Sequence, residues 1–172
     1  RTFPESLSRD FASALIAREH GYRAVSVDQA ICFVPRTGAL RSEFRRKIRT
    51  MARGLQTLWF KRHLLNPFRY GSFAWMLFSH KLCRWLVYPA LPLALFALIV
   101  LSVHSRLWMA VLLLAAAGTA TSLMGVFWPA RRQAPAIVHV AGFALASNVA
   151  GMLAWVQVLR NQRAAVWEPT RR

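Results

Sequence analysis

The pattern of apolar and polar positions divides the chain near residue 84. Downstream lie three long runs without a charged side chain, at 85–103, 107–127 and 136–158. At about 1.5 Å rise per residue, a 19-residue helix covers roughly 28 Å, close to the apolar thickness of a bilayer. Each run therefore predicts a transmembrane helix. Pro89 and Pro92 are expected to kink or delay the first span, which a helix start or a bundle tolerates. Only residues 104–106 separate the first two runs, so these predict a tight antiparallel hairpin. The next connection, 128–135, carries Arg131 and Arg132. His139 and Asn148 interrupt the third run and are expected to hydrogen-bond between helices.

Upstream the periodicity is shorter. Leu7, Phe11 and Leu15 recur at helical spacing, predicting a helix over 8–20 with Ser8 as N-cap and Gly21 as stop. Two β-like runs follow, 23–27 and 30–34, separated by Asp28-Gln29 and ended by Pro35. Two short strands and one helix bury too little surface to stand alone, so they are expected to complete a sheet from elsewhere. Over 43–63, Phe44, Ile48, Met51, Leu55, Leu58 and Trp59 form one apolar stripe, with Arg46, Arg49 and Arg53 opposite. Such a helix is expected in the membrane interface, apolar face down. The aromatic-rich stretch 68–81 and the cations His80, Lys81 and Arg84 suit the headgroup region.

Composition sharpens this division. Apolar residues make up 56% of the 172 and charged residues 17%, which excludes intrinsic disorder. Two separated cysteines, Cys32 and Cys83, exclude a disulfide scaffold and are expected as reduced thiols. There are 23 Lys plus Arg against 6 Asp plus Glu. Residues 1–84 hold 16 of those cations, and 44–84 hold ten with no acid. Because these cations flank apolar spans, the charge argues against a nucleic-acid binder and for membrane lipid as a partner. The basic segment 1–84 is expected to be cytoplasmic, with the Arg131/Arg132 loop on the same side. Three spans then put the arginine-bearing tail, 160–172, outside, against the positive-inside tendency. A re-entrant third run or a cytoplasmic C-terminus would relieve that conflict.

The organisation is thus 1–42 as a small α/β piece, 43–84 as basic interfacial helices, 85–159 as the spans and 160–172 as a basic tail. Several short motifs follow one another in this frame: Asp10 opening a helix, Gly21-Tyr22-Arg23, two short strands, Arg46-x-x-Arg49, Asn66-Pro67, and Ser79-His80-Lys81-x-x-Arg84-Trp85. The three spans and Trp167-Glu168-Pro169-Thr170-Arg171 complete the order. Over nearly its whole length the chain resembles the C-terminal portion of a membrane-integrated family 2 glycosyltransferase of the hyaluronan, chitin and cellulose synthase-like kind.

The resemblance implies a mainly α membrane protein: the remnant of a GT-A-type α/β domain, amphipathic interfacial helices and a three-helix transmembrane bundle, in a bacterial inner membrane. It implies inverting transfer from a nucleotide sugar, UDP-linked, to a growing glycan or lipid-linked acceptor. Asp10 matches the second, catalytic position of the family's acidic pair, whose first position is Arg9 here. Arg49 matches the arginine of the Q-x-x-R-W motif, with Arg46 in place of Gln and Thr50 in place of Trp. Arg46 and Arg49 would bind the diphosphate, and the spans would form the acceptor or polymer passage. A divalent cation (Mg or Mn) is implied for the intact enzyme. No D-x-D and no G-x-G-x-x-G occurs, so the nucleotide-binding half is expected in a separate N-terminal portion, and residues 1–172 are expected to be inactive alone.

Each assignment has a plainer counterpart. An acid in a first helical turn favours the helix dipole, and interfacial arginines bind lipid headgroups. The alternative function is a non-enzymatic small basic membrane protein, an assembly or transporter subunit that holds anionic lipid.

Overall fold

The computed structural model describes residues 7–25, 27–33, 40–129 and 134–161. It is mostly helical, with no strand among those residues. The helices are α1 (Arg9–Glu19), α2 (Leu40–Phe60), α3 (Pro67–Tyr70), α4 (Ser72–Leu77), α5 (Arg84–His104), α6 (Arg106–Val126) and α7 (Ala136–Leu159). A 3-10 turn, Arg62–Leu65, follows α2, and a widened π turn, Phe78–Cys83, joins α4 to α5. The chain forms two compact units, one of Arg1–Arg84 with Leu153–Arg172 and one of Trp85–Met152.

In the first unit, α1 starts after Ser8, which occupies the N-cap position without a side-chain cap bond. It ends where Gly21 takes a φ of 82°, a left-handed conformation that glycine reaches without a Cβ clash. Leu7, Ala12 and Leu15 are buried, as are Ala52, Leu55 and Leu58 of α2, Leu64 of the 3-10 turn, and Ala74 and Leu77 of α4. The aliphatic stripe of α2 is therefore divided. Its second half, Leu55 and Leu58, lies in the protein core rather than facing lipid, while Trp59 stays exposed. Beyond the 3-10 turn, Asn66 caps α3 by accepting the Phe68 amide at 3.0 Å, with Pro67 at the first helical position. Gly71, at φ 53°, then breaks α3 from α4.

The expected strands are corrected. Residues 22–25 and 27–33 run as exposed chain with a turn at Asp28-Gln29, closed by Ala30 N–H to Val27 O at 3.0 Å. Ser26 of the first run, and Val34 and Pro35 ending the second, lie outside the described residues. The physical reason is that an isolated two-stranded ribbon is marginal in water without a third strand or a helix against its apolar face. The α/β remnant implied for 1–42 is thus helix α1 and this exposed stretch.

In the second unit, α5, α6 and most of α7 realise the three apolar runs to within a residue or two. Each helix is long and apolar enough to cross a membrane, and α4, the π turn and α5 form one continuous helix over Ser72–His104. Pro89 and Pro92 both sit inside α5 without ending it. Ser105 alone separates α5 from α6. Gly125 and Gly142 let α6 and α7 meet backbone to backbone, since a Cβ at Gly125 would lie 2.1 Å from Val138 O. The Tyr88 ring of α5 rests on Gly151 of α7. The Asn148 side chain donates to Ala144 O of its own helix at 2.9 Å, and His139 is exposed, so neither makes the predicted interhelical bond. Asn148 finds an acceptor one turn back, which satisfies its amide locally. The Arg131/Arg132 loop and the tail from residue 162 lie outside the described residues.

Candidate functional site

The arrangement around Asp10 is set by how α1 docks. The Ser8 amide donates to Thr57 Oγ1 at 2.9 Å, and that hydroxyl donates to Arg53 O at 2.7 Å. Thr57 has no exposed surface, so the head of α1 is fixed against the last quarter of α2. At the other end of α1, Glu19 accepts from Lys61 Nζ at 2.5 Å and pairs with His63 Nε2 at 2.6 Å. Burial alone would raise the Glu19 pKa, but the hydrogen bonds and charges of Lys61 and then His63 outweigh it and hold the carboxyl below its ordinary value. A second side of α1 meets the helix that follows. Lys81 Nζ sits 5.1 Å from the Phe11 ring centroid, and Arg18 sits 5.4 Å from that of Phe73, so α1 runs antiparallel to α4 and the π turn.

This docking gives Asp10 its setting. It lies in the first turn of α1, exposed. Its backbone carbonyl accepts the Ser13 hydroxyl at 2.8 Å, leaving its carboxylate outside that bond. Arg9 precedes it, also exposed.

From Thr57 the arginines run back along α2. At about 100° per residue, Arg46, Arg49, Arg53 and Thr57 fall within a sector roughly 80° wide. Along the axis, Arg53 lies about 6 Å, Arg49 about 12 Å and Arg46 about 16 Å before Thr57. The stripe of guanidinium groups thus leads toward the α1 head that carries Asp10, without a direct ion pair to it. The three differ in their engagement. Arg46 is spanned to Glu43 one turn earlier, Nη2 to Oε2 at 2.7 Å and Nε to Oε2 at 3.1 Å. With 61% of the Arg46 side chain exposed, that pair is weak and open to competition. Arg53 is half-buried and its carbonyl is bound by Thr57. Arg49 is half-buried and makes no ion pair among the described residues.

The structure thus places Arg46 and Arg49 on one face of α2 and Asp10 at the helix docked to its end. It adds Thr57, Glu19, Lys61 and His63, which the sequence reading passed over. Thr57 alone left a signal, as a small hydroxyl continuing the helical spacing of Arg46, Arg49 and Arg53, opposite Leu55 and Leu58. His80 and Arg84 are exposed, and Lys81 is committed to Phe11. Cys32 and Cys83 are free cysteines, exposed and half-buried respectively. No three His, Cys, Asp or Glu side chains gather as a metal site among the described residues, so no residue here is assigned to the divalent cation that the resemblance implies, and no chemical step is routed through one. No family model, no curated protein and no solved structure matches the chain.

Proposed function

We propose that this chain is the C-terminal, membrane-anchored part of an inverting glycosyltransferase that transfers a sugar from a nucleotide sugar to a glycan or lipid-linked acceptor. The observation that carries the reading is the docking of α1 on α2. It brings an exposed carboxylate, Asp10, to the end of a face bearing Arg46, Arg49 and Arg53. A carboxylate can take the acceptor hydroxyl's proton as that oxygen attacks the anomeric carbon. The bond from that carbon to the diphosphate oxygen breaks, and negative charge grows on the departing nucleoside diphosphate. Guanidinium groups suit that charge because they bind phosphate oxygens with two parallel N–H groups. Arg49 is available without displacing a partner, and Arg46 after release from Glu43.

The exposed stretch 22–33 supports the same reading. Tyr22, Val25, Val27, Ile31 and Phe33 are large, apolar and exposed, Phe33 to 91%. A sheet edge supplied by a nucleotide-binding portion would cover them. The enzyme reading is tested in a protein that joins this chain to such a portion. Asp10→Asn should abolish sugar transfer with membrane insertion unchanged, and retained turnover would remove Asp10 from the mechanism. Transfer by residues 1–172 alone would refute the division of labour.

A second reading is favoured by a different observation. Trp59, Phe60, Phe68 and Trp75 are exposed, Phe68 completely. Arg62 lies 5.3 Å from the Trp59 ring centroid, and Arg69 lies 5.5 Å from that of Tyr70. Aromatics paired with cations suit an anionic headgroup layer. On this reading the chain is a lipid-holding subunit, and its cellular role is insensitive to Asp10→Asn but impaired by combined Arg62→Gln and Arg69→Gln.

A further inference from the structure

Length and composition alone make α5, α6 and α7 three equivalent crossings. Contacts inside the helical unit make α7 different. Gly125 lies about 28 Å along α6 from the Ser105 turn, and Tyr88 lies about 24 Å along α5 from it. Both are therefore at the end of the α5–α6 hairpin remote from that turn. α7 touches both places, α6 through Gly142 against Gly125 and α5 through Gly151 under the Tyr88 ring.

The stretch from Gly142 to Gly151 is only about 13 Å long. An upright third helix would carry Gly151 that far toward Ser105, level with about Ala94 of α5. It meets Tyr88 instead, whose ring in a helix leans back toward the helix start. The contacts are close enough to be specific. A Cβ at Gly151 would lie 2.5 Å from the Tyr88 ring, and one at Gly142 would lie 2.6 Å from the Gly125 carbonyl carbon. The middle of α7 thus runs across the base of the hairpin rather than up its side. A separate observation agrees: from Leu153 onward, α7 belongs to the same compact unit as Arg1–Arg84.

We infer that the chain crosses the bilayer twice, through α5 and α6, and that α7 leaves the membrane on the side from which α5 starts. This puts Arg160 on the side of the ten cations of 44–84, and three further arginines follow it in the sequence. It removes the conflict with the positive-inside tendency and adds these cations to the anionic leaflet that the basic segment faces. The inference rests on the membrane placement of α5 and α6 and is independent of sugar transfer.

Single-cysteine labelling of the full chain in intact cells and in inverted vesicles tests it. The exposed native Cys32, with Cys83→Ser, marks the side of the N-terminal segment. Ser105→Cys and Asn161→Cys, each without the native cysteines, mark the hairpin turn and the end of α7. With a membrane-impermeant maleimide, Cys32 and the residue-161 reporter should label from the same side and the residue-105 reporter from the other. Labelling of positions 161 and 105 from the same side would overturn the inference. Labelling of all three from one side would overturn it too, by removing the crossings themselves. Should Asn161→Cys fail to accumulate, Arg160→Cys reads the same position.

Discussion

Thr57 shows how a single hydroxyl holds two elements. It accepts the Ser8 amide and returns a hydrogen bond to the Arg53 carbonyl, wholly out of water. Thr57→Val keeps the shape but strands a part-buried N–H, a loss of about 1 kcal/mol. A thermal-unfolding scan in detergent should show a lower midpoint, with the helix content at low temperature unchanged. Glu19 adds a pH-dependent contribution at the other end of α1. Because its folded pKa lies below the ordinary value of 4.5, its pairing stabilises the fold above that value and is lost as pH falls through the lowered one. The pair is part-buried, so Glu19→Gln should cost about 1 kcal/mol at neutral pH. The difference from the parent chain should close on acidification below pH 4.5, and a gap that persists there would assign the loss to shape rather than charge.

At the scale of elements, α1 is held by burial as well as by these bonds. Leu15 is fully buried, so Leu15→Ala should cost about 2–5 kcal/mol through lost transfer energy and a residual cavity. That variant should release α1 first, seen as faster amide exchange over 9–19 than over α2. In the apolar unit the glycine contacts are the sensitive points. Gly142→Leu places a branched side chain where the α6 backbone already sits, and overpacking of this kind costs about 1–3 kcal/mol. Cysteines placed at 124 and 139 should report on the α6–α7 approach, with crosslinking lost in Gly142→Leu and kept in Gly118→Leu, where nothing lies within 4 Å.

For the whole molecule, the consequence is dependence on an apolar solvent. Most large apolar side chains of α5 and α6 face outward, and soluble proteins rarely leave that much contiguous apolar surface bare. The full chain should stay with membranes through an alkaline carbonate wash and leave them only with detergent. Release by carbonate would refute the membrane placement on which both the proposed function and the crossing count rest.

The sequence by itself determined the helices. Helical periodicity and uncharged runs are local properties, so α1, α2 and the three apolar helices were legible to within a few residues. So was the candidacy of Asp10, Arg46 and Arg49, because residue type and motif order are written along the chain. Their roles remain proposals, but their relation to one another belongs to the tertiary structure. Ser8 and Thr57, 49 residues apart, decide which part of α2 lies under the head of α1. Tertiary structure also decided that Leu55 and Leu58 face protein, since an apolar stripe suits lipid and core equally. The β-like runs stayed exposed because their pattern needs an edge to pair with. The course of α7 was decided by Gly125, Gly142 and Gly151, whose lack of a Cβ lets distant helices touch where hydropathy alone would have drawn a third upright span.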